Sequence, residues 1–334
     1  MDYETGSATD AHDMLDKIRT FLVANGWTQN GYVSETYGYR LHLNRGALYI
    51  NMFSGIATDP ISANTWYSTT YRMSGIAVSP STGFTASPTG AKAWKNMPGA
   101  PVHDPSYFDY ADDIFACAVA DMTGAVISYH LVADGDQFIA AMEISTGVYR
   151  WIAFGLLDAY GSIGSSPNGF YVSTSSCMGG SSSSGLGYEE LRRIFAHMRS
   201  SDTSYPNATV RFNDAWAVPG GNPVGDVAQP ISAIGYGYTP YQDTSITWGA
   251  MHGLLSSMPA DIGGLSPLLP AQIGVVYSGN PVPIGHFGLA RITHMDGFSV
   301  GQTITVGSED FVVLPCNNAD FDYPYAIAIR VTGA

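Results

Sequence analysis

Apolar residues recur at helical spacing near the start of the chain and in alternation over much of the rest. Met14, Leu15, Ile18, Phe21 and Leu22 form one stripe, with Asp13, Asp16, Lys17 and Arg19 opposite it. This pattern predicts an amphipathic helix over Ala11–Ala24, to be packed on a sheet or docked on a neighbour. Asp10 stands where an N-cap is needed, and Asn25-Gly26 supplies the stop.

Strand signals follow. Residues 39–44 alternate with period two, and 47–53 come after Arg45-Gly46, which predicts a hairpin. Residues 126–132 and 138–144 flank Ala133-Asp134-Gly135-Asp136, where the Asp-Gly pair marks a tight turn. Strands over 148–154 and 169–174 continue the meander. The stretch 59–105 is rich in Ser, Thr, Gly and Pro and reads as short strands joined by long loops.

Residues 179–187, GGSSSSGLG, have the composition of a flexible linker. Leu191, Ile194, Phe195 and Met198 then predict a second short helix over 188–198. The remainder of 188–283 has many Pro and Gly residues and weak periodicity, and reads as an inserted lobe or arm. Strand patterns return at 288–294, 303–306, 310–314 and 325–331. The expected architecture is mainly β: antiparallel sandwich or barrel-like sheets with an N-terminal amphipathic helix and a second short helix after the linker. Residues 1–178 should form the helix-plus-β unit, and 284–334 should supply strands that complete it.

Composition changes the picture in one respect. Charged residues make up 13% of the 334, against about 25% in an average soluble domain. Hydrophobic content is 45%, so the missing charge does not signal disorder. Its place is taken by small polar residues and 21 Tyr. Few Lys and Glu with many Tyr is the composition of a protein–protein interface, which argues for a homo-oligomer with much of its outer surface covered by other subunits, the polar-neutral surface of a secreted β-protein being the alternative. A net charge of −14 with 14 basic residues speaks against a nucleic-acid partner. The acidic, polar start is not that of an ordinary signal peptide, and no apolar run reaches the ~18 residues of a membrane helix, so no membrane insertion is expected. Cys117, Cys177 and Cys316 are widely spaced, which fits assembly in a reducing cytoplasm and indicates neither a disulfide framework nor a zinc site.

Reactive constellations are scarce. The chain has no phosphate-binding loop, no H-E-x-x-H and no G-x-S-x-G elbow, so no enzyme activity and no cofactor are expected. Asp104, Asp109, Asp112 and Asp113 could supply a carboxylate pair for glycan hydrolysis or a calcium site, although a solvated loop accounts for them as well. His294 and Asp296 have the spacing of two ligands on one strand face, but without further ligands at a known spacing a structural His is the better account. Asp134 and Asp136 read as turn residues, and Asp320 and Asp322 as a loop before the last strand. Trp66, Tyr67, Tyr71 and Trp94 are candidate interface anchors or sugar-stacking residues.

Two segments carry a resemblance. The first runs Ile127-Ser-Tyr129-His-Leu-Val, Phe138 to Glu143, Gly147-Val-Tyr149-Arg150-Trp151-Ile-Ala-Phe154-Gly155, then Gly169-Phe-Tyr171. The second is Gly301-Gln-Thr-Ile-Thr-Val-Gly307, Leu314-Pro315 and a final strand, and Gly26-Trp27 after the helix fits with both. Together they resemble virion structural proteins of tailed bacteriophages. The match departs from that pattern at Leu314, where an aromatic is usual, and across 180–283. The resemblance implies a virion subunit associated with tail or baseplate, assembled in the host cytoplasm, with other phage virion proteins as partners. A capsid decoration or collar protein, and a tail module that binds or degrades host surface glycan, are its alternatives. No functional residues carry over.

Overall fold

A computed structural model describes residues 1–35, 38–55, 75–86, 97–101, 117–122, 124–175, 196–197, 208–217, 230–232, 234–235, 267–277, 280–295, 297–316 and 325–332. These form a mainly β protein of three antiparallel sheets and one N-terminal helix, with no closed barrel.

The central sheet has the order β1 (Asp2–Ala8), β7 (Val126–Asp134), β8 (Gln137–Ser145), β9 (Val148–Leu156), β11 (Phe170–Thr174), β13 (Ala208–Phe212) and β14 (Ala215–Ala217). A second sheet is a meander of β2 (Thr28–Glu35), β3 (Gly38–Arg45), β4 (Leu48–Gly55), β5 (Gly75–Ser81) and β6 (Cys117–Asp121). The third runs β15 (Pro230–Ser232), β17 (Leu269–Tyr277), β18 (Asn280–His294), β21 (Tyr325–Thr332), β20 (Glu309–Pro315) and β19 (Gln302–Val306), with β10 (Asp158–Ala159) also paired to β18. The C-terminal strands therefore meet the central sheet face to face, and of the described strands before residue 178 only the two-residue β10 pairs with them along an edge.

The helix, α1 (Ala11–Ala24), begins and ends as its sequence dictates. Asp10 Oδ1 accepts hydrogen bonds from the backbone N–H of His12 and Asp13 at 2.8 and 2.9 Å, satisfying two orphan donors. At the other end Trp27 N–H donates to Leu22 O and Gly26 N–H to Val23 O, the paired bonds of a Schellman stop. Trp27 is thereby turned into the core, its ring edge-on to Phe154 at 5.3 Å.

Two hydrophobic layers result. The α1 stripe (Met14, Leu15, Ile18, Phe21, Leu22) fills the space between one face of the central sheet and the inward side chains of the second. Phe138, Ile152, Phe154 and Phe170 come from the former, Leu41, Leu43, Ile50, Met52, Ile76 and Val78 from the latter. The opposite face of the central sheet presents Val132, Ile139, Trp151 and Tyr171 to Ile273, Phe287, Leu289, Ile292, Leu314 and Ile327 of the third sheet. With both faces covered, β8, β9 and β11 are near-continuous apolar runs, whereas β3 alternates.

One expected element is corrected where it can be seen. Ala196–His197, near the end of the segment read as a second helix, is a two-residue strand, β12, paired in parallel with β16 (Ile234–Gly235). Pairing to a distant strand has overridden the local apolar spacing there. The rest of 188–198, and the linker 179–187, lie outside the described residues.

Candidate functional site

The residues singled out from the sequence fall unevenly. Trp66, Tyr67, Tyr71 and Trp94 lie outside the described residues, as do Asp104, Asp109, Asp112, Asp113, Asp296, Asp320 and Asp322. His294 is buried near the end of β18. Asp134 and Asp136 flank the β7–β8 turn as expected, and the structure gives them a second role.

That turn is where all three sheets are tied together. Arg330 on β21 donates from Nη2 to Asp134 Oδ2 at 2.7 Å and from Nη1 to Glu309 Oε1 at 2.8 Å. Arg45, at the end of β3, brings Nε to 2.9 Å from Asp136 Oδ1 and donates from Nη1 to Asn25 O at 2.6 Å. One central hairpin thus holds a guanidinium from each flanking sheet. Arg suits this task because its planar fork serves two acceptors at once. These pairs are partly exposed, so their main effect is to fix register between layers, with only modest stabilisation.

Gln137, the residue after the turn, makes a further tie. Its Nε2 donates to Leu156 O at 2.7 Å, and its Oε1 accepts from Leu289 N–H at 3.1 Å, linking central and third sheets. Beside it, Asp158 Oδ2 lies 3.5 Å from His286 Nε2, and Tyr160 stacks on the imidazole. Burial lowers the His286 pKa, against the pull of Asp158. An Asp–His pair can orient a general base, yet His286 Nδ1 has no hydrogen-bond partner among the described residues. Among the described residues the pair therefore faces no nucleophile, and there it reads as a packing contact.

A buried polar cluster occupies the outward face of the second sheet. His42 Nδ1 is 2.7 Å from Asn51 Oδ1, while Asn51 Nδ2 donates to Ser79 O and Ser81 Oγ at 3.1 and 3.0 Å. The His42 ring lies against Phe84, and its Nε2 has no partner among the described residues. Burial pushes its pKa from 6.5 down to about 4, outweighing the hydrogen bond with Asn51. Unfolded, His42 takes up a proton near pH 6.5; folded, only near 4, so the unfolded state binds more protons between those values. Stability is expected to fall as pH drops through that window, by up to about 3 kcal/mol from this residue. Burial lowers His130 and His286 in the same direction. Urea titrations between pH 4 and 7 should show a His42→Gln chain losing less stability over the window than the parent. Equal slopes would refute the assignment.

The remaining feature is the set of sheet edges that carry no further strand among the described residues. Six of the seven residues of β1 are exposed, and β19 is exposed at four of five positions. Val300 and Val306 beside and within β19 are half exposed. No sequence periodicity marks β1, because an edge strand with one buried residue takes its form from its partner. Among the described residues, no three His, Cys, Asp or Glu side chains are grouped to hold a metal ion, and no helix is long and apolar enough to cross a membrane. Comparison of the chain with protein-family models and with curated proteins finds no match to either.

Proposed function

We propose that this chain is a structural subunit of a tailed-bacteriophage particle, an oligomeric tail or baseplate component that works through protein–protein contacts. The observation that carries the reading is a chain with 13% charged residues folded into three sheets whose terminal strands pair on one side only among the described residues. The segments that resemble phage virion proteins are not scattered in this fold. The first of them supplies β7, β8, β9 and β11, four adjacent strands of the central sheet. The second supplies the β19–β20 hairpin at one rim of the third. The resemblance therefore concerns a scaffold and its contact edge, which is what a building block needs.

Gold-tagged antibody against the chain, imaged on intact particles by electron microscopy, tests the reading. Label at the tail or its distal end is the expected result. Label on the head would replace it with a capsid decoration or collar role. Absence of label, with no corresponding band in purified particles, would overturn it. If tail-tip label coincides with affinity for host glycan that is lost in Trp66→Ala or Trp94→Ala, the receptor-binding alternative takes its place. Release of reducing sugar that depends on Asp109 or Asp112 would instead make the chain a depolymerase.

A further inference from the structure

Among the described residues seven strands end the three sheets, and six carry a feature that discourages pairing with another chain, the two-residue β10 with its Asp158 included. β1 has Asp2 and Glu4, β2 ends in Glu35, and β6 ends in Asp121. β14 and β15 are three residues each, and β15 opens on a proline. β19 has none of these. It is five residues long, and 299–308 around it contain no ionisable side chain and no proline.

From this we infer that β19 is a self-pairing edge, joining antiparallel to β19 of a second copy across a two-fold axis through Ile304. The inference rests on the oligomeric-subunit reading and names the surface it would use. The strand reads Gln302-Thr-Ile-Thr-Val306, so pairing Ile304 with Ile304 sets Thr303 against Thr305 and Gln302 against Val306. No charge opposes a like charge anywhere along the contact. A partner of the same sequence is thus sterically and electrostatically matched, as an isologous contact requires.

Register places the hydrogen-bonding groups correctly. Val306 is closed against Glu309 by the two-residue turn Gly307-Ser308, so Ile304 bonds inward to Phe311 of β20, while at the far end Gly301 N–H donates to Val313 O and Gln302 N–H to Ser299 O. The intervening Thr303 and Thr305 then direct N–H and C=O to the open edge. On the face that Ile304 shares with Phe311 lies a small apolar cluster, with Val313, Ala326 and Ala328 buried and Met295 and Phe298 beside them. Val306, 49% exposed, follows Ile304 on that face. Self-pairing would continue this strip across the axis into its own copy and cover Val306.

The test uses the full chain in sedimentation velocity over a concentration series. The parent should pass from monomer to dimer. Ile304→Lys and Ile304→Glu each put like charges directly opposite one another across the axis, and each should weaken dimerisation about tenfold or more. An equal mixture of the two should restore it, because Lys then faces Glu. Thr303→Pro removes an outward N–H without touching the Ile304 contact, and should weaken dimerisation with the same circular dichroism as the parent. A parent that stays monomeric, variants that dimerise like it, or a mixture that fails to recover would each overturn the pairing. Those results leave the virion reading to the gold label: a labelled particle with a monomeric parent sinks only the edge, and an unlabelled particle sinks the reading beneath it.

Discussion

Replacing Trp151 by Ala is expected to cost about 4 to 5 kcal/mol of folding stability, the upper range for truncating a buried aromatic. Trp151 is fully buried on β9, directly across from Ala141, in the layer between the central and third sheets. The indole cannot be replaced by collapse, because the walls of its site are hydrogen-bonded ladders on both sides. A cavity remains, and its cost adds to the lost transfer free energy. Its Nε1 has no hydrogen-bond partner among the described residues, so volume and not a polar contact is what counts. Trp151→Phe should accordingly cost only about 1 kcal/mol. Urea unfolding checks both: the midpoint should shift strongly for Ala and slightly for Phe, with the slope unchanged. A small shift for Ala would mean that the two sheets do not share this core.

A Gly155→Ala chain is expected to lose about 4 kcal/mol, the sum of backbone strain and overpacking at about 1 to 3 kcal/mol each. Gly155 has a φ of +142°, where side chains are rarely tolerated. A methyl group there would lie 2.3 Å from Asp136 O and 2.5 Å from Gln137 Cα. Both are backbone atoms of the hairpin that Arg45 and Arg330 pin in place, so neither can step aside. Gly135 in the same hairpin offers a control: its φ is also positive, but open space surrounds it. Gly135→Ala should cost no more than about 1 kcal/mol. Thermal melts of the three chains separate the effect of crowding from that of conformation. Equal losses at both positions would remove the close approach of β9 to the hairpin from the account.

The sequence was most legible where one side chain face meets a core. The α1 stripe and the alternation of β3 declare a buried face through their periodicity, and β8 and β9 stand out as near-continuous apolar runs covered on both faces. Edge strands β1 and β2 do not, since few of their side chains are buried and their extended form comes from ladder bonds to a neighbour. β17 was hidden because proline, glycine and β-bulges interrupt its alternation, and β13 because five residues are too short a run to stand out in a stretch of weak periodicity. The hairpin turn at Asp134-Gly135 could be read from its dipeptide. Its carboxylates' partners could not, because Arg330 stands 196 positions away and nothing local links the two.

The pairing of β1 with β7 has a consequence for how the protein is made. Asp2 is bonded opposite Ala133, and Tyr3 opposite Val132, so the N-terminal strand is translated long before the strand it joins. At about 5–20 residues per second, the nascent chain holds that segment without its mate for on the order of ten seconds. A hydrophobic segment would spend that delay recruiting chaperones or neighbouring polypeptides on the polysome. Asp2 and Glu4, together with a strand that buries only Ala8, let it wait in water instead. The helix behind it waits less, because Leu41, Leu43, Ile50 and Met52 of the second sheet follow within about thirty residues and cover one side of its apolar stripe; the side that meets Phe138 and Phe154 waits as long as β1 does.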